Sequence, residues 1–369
     1  MNTAKRMGML ILASTFLIGP LPAAAQGLTT TQSASHDYLA TNQGAPYWTA
    51  ERVRNAKPMP WYDRAADTAA FEGLSSLDIQ LGPAGSAPGG GPQQAPGNAA
   101  SAPEASAALD AQTGLSAEEA DESDNGVDFG TADVGDNDFV NQDKTLWKKY
   151  PWKAVGKLLI STPGGGSGWC TASVISPNDV IVTAAHCCYD RGAGQWNSNF
   201  AFVPAMRIAA RPYKTFPYTA ATILTAWITQ GGRENDVCVL NLGKSSSNKR
   251  VTQVTGWLGR SWNQPIVQHH FSYGYPSNIS SGDYKYECSA ESYANCGSGL
   301  VVAMGCNMTF GSSGGPWIHT FKKYQAGAMN YVNSVVSGYD ECTGTFGQSF
   351  NGARFTSGNI VPVCNAAGC

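Results

Sequence analysis

Two positions in the 369-residue chain combine reactive side chains with tight local frames. His186 closes the run "VIVTAAHCC", and two adjacent serines, Ser312 and Ser313, sit among glycines in "FGSSGGPW" at 310–317. A serine hydroxyl is a weak nucleophile at neutral pH and needs a neighbouring base. An imidazole, with an ordinary pKa of about 6.5, can take that proton and later deliver it to a leaving group. The remaining histidines, His36, His269, His270 and His319, lack such a frame. A Gly/Ser stretch alone reads equally well as a flexible loop, as "PGGGSG" at 163–168 does.

"TAAHC" followed much later by "GSSGGP" resembles the chymotrypsin-like serine proteases, whose patterns are Thr-Ala-Ala-His-Cys and Gly-Asp-Ser-Gly-Gly-Pro. The resemblance covers about residues 146–369. It implies that His186 is the general base and Ser313 the nucleophile, with an acid between them at the start of a buried strand. Asp190, Asp283, Glu287 and Glu291 lie in turn-like or polar surroundings, whereas Asp236 opens "NDVCVLNL" and is similar to the family's Asp-Ile-Ala-Leu-Leu segment. The implied triad is His186, Asp236 and Ser313. The aspartate would orient the ring and balance the imidazolium. Gly311 would let the backbone turn so that the N–H groups of Gly311 and Ser313 receive a developing oxyanion.

These residues need rigid elements to hold them. From about Leu146 short β-rich runs alternate with turn residues: "AVGKLLIST", "CTASVIS", "DVIVTAA", "DVCVLNL", "GLVVAM", "PWIHT" and "NSVVSG". Their length and punctuation predict an all-β domain, sandwich or barrel. The resemblance implies two antiparallel Greek-key β-barrels with the active site in the cleft between them, the first carrying His186 and Asp236, the second Ser313. "YPWKAVGKL" at 150–158, "YGYP" at 273–276 and "FNGARF" at 350–355 look like the bacterial glutamyl-endopeptidase-like branch.

The pattern is broken in places. Ser312 stands where trypsin-like members keep the aspartate that pairs with a new N-terminus. Ala154-Val155-Gly156-Lys157 stands in place of Ile-Val-Gly-Gly. Activation of the trypsin kind is therefore not expected. By analogy the specificity pocket is assigned to Asn307, Met308 and Ser337. None is acidic and none is histidine, so neither a Lys/Arg nor a Glu preference carries over.

All ten cysteines lie between Cys170 and Cys369, which points to a disulfide framework and an oxidising compartment. The resemblance pairs Cys170 with Cys187, with Cys188 as an alternative partner; Cys288 with Cys306 and Cys364 with Cys369 are suggested by proximity. No Cys-x-x-Cys pair occurs, and no metal or other cofactor is expected.

Residues 1–25 have a cationic start, a short apolar run and the small-residue segment "PLPAAAQ", the pattern of a signal peptide. Secretion, to the exterior or the periplasm, is the expectation, and the mature chain is expected to be soluble, without membrane or nucleic-acid partners, and monomeric. Residues 26–141 carry 17 acidic and four basic side chains; residues 142–369 carry 10 acidic and 18 basic ones. Residues 82–116 are Pro/Gly/Ala/Ser-rich and read as a linker, and 117–138 hold nine acids and no cation. The segment 26–141 is thus expected to be an acidic, partly disordered pro-region or linker, its acidic run either a solvated tether or part of a removable mask on the basic protease domain at 142–369. The expected substrate is a protein or peptide.

Overall fold

The β-branched run Val180–Thr183 is buried along its whole length and pairs antiparallel with Cys238–Leu242, Cys238 opposite Thr183 and Val239 opposite Val182. Antiparallel pairing sets the end of one strand beside the start of the other. The chain after Thr183 and the chain before Cys238 therefore emerge at one edge. This pair belongs to a computed structural model that describes residues 29–35, 47–62, 81–92, 141–142, 146–340, 342 and 348–369.

Around it the strands Phe216–Leu224, Ser198–Pro204, Val155–Ser161, Ser167–Val174, Val180–Thr183 and Cys238–Leu242 follow one another, and the last pairs back to the first, closing a barrel. Its interior holds Leu158, Ile160, Val182, Phe202, Phe216, Ile223 and Leu240, all buried. A second, curled sheet runs Tyr293–Ala294, Val301–Gly305, Ser349–Arg354, Tyr331–Tyr339, Pro316–His319, His269–Gly274, Tyr286–Glu291 and Asn141–Gln142. Gly259–Trp262 adds to it in parallel beside Tyr331–Tyr339. Met304, Met308, Trp317 and Phe350 pack around the Cys288–Cys306 bond to fill this half. The all-β, two-barrel architecture implied by the resemblance is the observed one.

The C-terminal helix Ile360–Ala367 belongs to the second half in sequence but caps the first barrel. Asn241 Nδ2 donates to the Ala367 carbonyl (2.8 Å), and Ser176 Oγ donates to the Cys369 carbonyl (3.1 Å). Five disulfides are present: Cys170–Cys187, Cys188–Cys238, Cys288–Cys306, Cys296–Cys342 and Cys364–Cys369.

Parts of the segment before residue 142 are built into both halves. Thr31–Ser35 pairs with Phe216–Leu224, Lys57–Pro58 with Ser167–Val174, and Gly85–Ala87 with Gly259–Trp262. Residues 82–92 thus form defined structure where composition alone reads as linker. Their lack of side chains is the reason: a Cβ on Gly90 would fall 2.1 Å from the Trp257 ring, and one on Gly85 2.4 Å from Trp262. The segment packs by backbone contact under tryptophans. The expected leader, residues 1–25, and the acidic run 117–138 lie outside the described residues.

Candidate active site

His186 lies on the single helical turn Ala185–Cys188 that follows the strand Val180–Thr183. Asp236 sits two residues before Cys238–Leu242. The strand pairing brings both to one edge, where His186 Nδ1 and Asp236 Oδ2 are 2.8 Å apart. The His186 amide donates to the other carboxylate oxygen, Oδ1, at 2.8 Å. Ser337 Oγ donates to Oδ2 at 2.5 Å. Asp236 is fully buried, so these three donors do the work of the water it has lost. Because Oδ2 accepts at Nδ1, the ring's proton belongs there and Nε2 is left as the acceptor. Nε2 is buried and has no hydrogen-bond partner among the described residues.

Two disulfides hold this edge. Cys187 is bonded to Cys170 and Cys188 to Cys238, so both residues after His186 are tied to barrel strands. The second bond also anchors Asp236 from two residues away. Asn197 closes the turn from below, its Nδ2 on the Cys187 carbonyl (2.9 Å) and its amide on that of Cys188 (2.8 Å).

Ser313 comes from the other half of the molecule, in the turn before Pro316–His319. Thr171 of the first barrel fixes it. The Thr171 amide donates to the Ser313 carbonyl (2.8 Å), and Thr171 Oγ1 donates to the Gly311 carbonyl (2.9 Å) while accepting from the Tyr275 amide (3.0 Å). Gly314 lies against the strand end that leads to His186: a Cβ there would be 2.0 Å from Thr183 Oγ1 and 2.8 Å from the Ala184 amide nitrogen. Ser313 Oγ, like His186 Nε2, is buried with no hydrogen-bond partner among the described residues.

The amides of this turn divide into two sets. Those of Ser312 and Gly314 are bonded, to the carbonyls of Thr309 (3.1 Å) and Val336 (2.8 Å). Those of Gly311 and Ser313 donate to nothing among the described residues. Gly311 has φ +88°, and a Cβ there would meet Trp169 Nε1 at 2.4 Å and the Tyr275 carbonyl at 2.6 Å. Only glycine permits both the conformation and the approach. Two buried amides spaced two residues apart are the donors an oxyanion needs.

Ser312 Oγ donates to the Thr309 carbonyl at 2.6 Å. The hydroxyl closes its own turn, while Ala154 and Val155, at the position of the family's new N-terminus, are buried within the continuous chain.

Of the residues assigned to the specificity pocket, Met308 is fully buried beside Cys306 in the second core. The Asn307 carbonyl accepts from Asn278 Nδ2 at 2.8 Å. Ser337 turns its hydroxyl to Asp236 rather than to a pocket. The reason is a bulge: the register between Tyr331–Tyr339 and Ser349–Arg354 shifts between Val336 and Gly338, which re-aims residue 337. Sequence reasoning had no signal for that bulge, nor for Thr171, whose role depends on three partners 104 to 142 residues away. Other acids of this region lie elsewhere: Asp190 Oδ1 caps the Ala193 amide (2.9 Å), and the Asp283 charge acts on Lys157.

The sequence model of the trypsin family matches residues 142–351. A curated relative, the extracellular metalloprotease of Bacillus subtilis (strain 168), is 30% identical over 152 residues, which are 39% of this chain and 46% of that protein. The chain thus spans about half the length of this relative. Among solved structures, protease Anisep from Arthrobacter nicotinovorans is 26% identical with a TM-score of 0.51, over 58% of this chain and 95% of its own. The thermostable serine protease AL20 from an extremophilic microorganism is 26% identical with a TM-score of 0.52, over 58% and 97%. A Glu endopeptidase solved with MPD, 20% identical with a TM-score of 0.50 over 63% and 98%, shares the fold.

The word metalloprotease in the first of these names raises the question of a metal site. Among the described residues, Cys170, His186 and Cys187 bring potential ligand atoms within 4.8 Å of one another. Both sulfurs are spent in the Cys170–Cys187 bond, and a disulfide supplies no thiolate. The His186 Nδ1 proton is held by Asp236. This grouping does not fit a metal.

Proposed function

The chain belongs to the trypsin family, and from that membership we propose that it is a secreted serine endopeptidase, made as a preproprotein, working through His186, Asp236 and Ser313. The observation that carries the proposal is a buried histidine whose Nδ1 is held by Asp236 while its Nε2, like the buried Ser313 Oγ, makes no hydrogen bond among the described residues.

In this reading a peptide carbonyl enters beside Ser313. His186 Nε2 takes the Oγ proton as Oγ bonds to the carbonyl carbon. The carbonyl π pair moves to oxygen, and the amides of Gly311 and Ser313 receive the charge. The oxyanion collapses, the C–N bond breaks, and the leaving amine takes the proton from Nε2. Water then gives its proton to Nε2 and attacks the acyl ester. Collapse of the second oxyanion returns the proton to Ser313 Oγ and frees the acid. Asp236 balances the imidazolium in both halves, and Ser337 holds Asp236.

Secretion is supported by the leader-like residues 1–25, by five disulfides, which persist in oxidising compartments, and by a relative named as extracellular. Removal of part of residues 26–141 belongs to the same proposal. No helix among the described residues is long and apolar enough to cross a membrane.

The test is to express the chain with its own leader and recover it from the medium. A fluorophosphonate probe is expected to label Ser313, and Ser313→Ala to abolish labelling. N-terminal sequencing would report processing. A folded, processed protein that does not label would reject the triad.

A further inference from the structure

The segment Lys57–Tyr62, "KPMPWY", lies across the candidate active site. Lys57 and Pro58 pair with Gly168 and Trp169, and the Met59 amide donates to the Trp169 carbonyl at 3.0 Å. Met59 is seated so closely that a Cβ on Gly168 would be 2.8 Å from its sulfur. From there the chain crosses to the second half. Trp61 stacks on Tyr339 (centroids 6.2 Å apart, planes 26° apart) and meets Phe310 edge-on at 5.5 Å. Tyr62 returns to the first half, edge-on to Trp227 at 4.8 Å, with its hydroxyl accepting from Arg191 and from the Gly232 amide, both at 3.3 Å. Met59, Pro60, Trp61 and Tyr62 line the same cleft, about 440 Å³, as His186.

The two walls of the Trp61 slot are close in sequence to the reactive groups. Phe310 is three residues before Ser313, and Tyr339 is two residues after Ser337, which holds Asp236. Trp61 is 6% exposed and packs with a core built from Met304, Met308, Trp317, Val336 and Phe350, while the buried Arg233 guanidinium lies against the slot's Tyr339 wall, 5.9 Å from the ring. Asp340, the buried acid next in sequence, is no counter-ion for the slot: its oxygens already accept from Tyr293, Asn295 and the Cys342 amide.

We infer that the Phe310–Tyr339 slot is the primary specificity site, that it selects a bulky aromatic side chain, and that Trp61 occupies it as an internal surrogate, keeping the chain latent. The inference rests on the serine-peptidase reading of Ser313. It also changes which part of residues 26–141 does the masking: an apolar, aromatic strap rather than the acidic run. A flat aromatic ring between two aromatic walls gains both area burial and ring–ring contact. An ammonium in the same slot would be desolvated beside the like charge of Arg233.

The experiment uses the full chain and its Trp61→Ala and Tyr62→Ala variants, the latter at a half-buried position. Each is assayed on peptides that differ only in carrying Phe, Trp, Glu or Lys before the scissile bond. Trp61→Ala is expected to raise kcat/KM on the Phe and Trp peptides by about tenfold or more over the wild-type chain. Those peptides should be cleaved about tenfold or more faster than the Glu and Lys ones. Tyr62→Ala should show the same preference with a smaller gain. Unchanged activity in both variants, or a Glu or Lys preference, overturns the inference. A binding arm needs no catalysis: a synthetic peptide of residues 56–63 is titrated onto Trp61→Ala. Saturable binding that weakens about tenfold or more when the peptide's own tryptophan is replaced by alanine supports the slot, and equal binding of the two peptides overturns it. Fluorophosphonate labelling of the variants separates the two readings. Absence of labelling removes the serine-peptidase mechanism, while equal peptide binding removes the slot.

Discussion

Cys188 and Cys238 are bonded across 50 residues, each two positions after a member of the candidate triad, His186 and Asp236 respectively. The bond crosses the same strand edge that carries the 2.8 Å contact between His186 Nδ1 and Asp236 Oδ2. By chain entropy a loop of this length contributes about 4 kcal/mol. The Cys188→Ala/Cys238→Ala double variant is expected to lose up to about that much stability in urea unfolding, and to lose activity at denaturant concentrations where the wild type is still folded. A variant with unchanged midpoint and activity would show the bond to be dispensable for both.

Gly311→Ala should be more damaging than its size suggests. The position combines φ +88° with a Cβ placed 2.4 Å from Trp169 Nε1 and 2.6 Å from the Tyr275 carbonyl. The backbone conformation alone costs an alanine on the order of 1–3 kcal/mol. Any relief moves the Gly311 amide away from the oxyanion position, and losing one such donor costs on the order of 10²–10³ in kcat. Steady-state kinetics on a folded fraction checks this. A fall in thermal stability with kcat intact would remove the amide from the mechanism.

Ser337→Ala tests whether the hydroxyl acts through Asp236. The substitution removes one of three donors to a fully buried carboxylate. Leaving that oxygen short is worth about 1–3 kcal/mol, roughly a tenfold or greater fall in kcat with little change in KM. If the residue instead formed a pocket wall, KM would rise and the order of preference among substrates would change.

Acid should destabilise the second half through two histidines outside the site. His270 is pushed down to about 4 chiefly by burial, with its Nε2 on Asn333 Oδ1 pulling the other way and His319 and His269 adding like charge. His319 is likewise pushed down to about 4 by burial, its Nε2 2.7 Å from Ser261 Oγ. Unfolded histidine titrates at about 6.5. Above that pH both states are neutral and full stability is present. Between about 6.5 and 4 the unfolded chain takes up protons that the folded chain refuses, so stability falls as pH falls. Unfolding free energies from urea melts at pH 7.5 and 4.5 should differ by a loss on the order of 5 kcal/mol for the two groups together. The His270→Gln/His319→Gln variant should flatten that dependence, and an identical slope would assign it to other groups.

Much of the scaffold is legible in short stretches. "AVGKLLIST" became Val155–Ser161, "DVIVTAA" Val180–Thr183, "DVCVLNL" Cys238–Leu242 and "PWIHT" Pro316–His319. β-Branched runs bounded by turn residues state their own conformation, because the preference is local. The strands Thr31–Ser35 and Gly85–Ala87 are not legible in that way. Neither has an apolar pattern, and each is a strand only because a distant edge offers it hydrogen bonds.

The sequence by itself determined residue types and order: a histidine after a β run, an aspartate opening another, a serine in a glycine turn, an even set of cysteines and a short apolar run near residue 10. Only the tertiary structure decided which atoms meet. Antiparallel pairing brought His186 to Asp236, Thr171 joined the two halves at Ser313, and a bulge turned Ser337 to the carboxylate. It also seated Trp61 between Phe310 and Tyr339, residues that lie about 250 and 280 positions away. Local preference reaches over a few residues, whereas burial and hydrogen-bond satisfaction act across whatever the fold brings into contact.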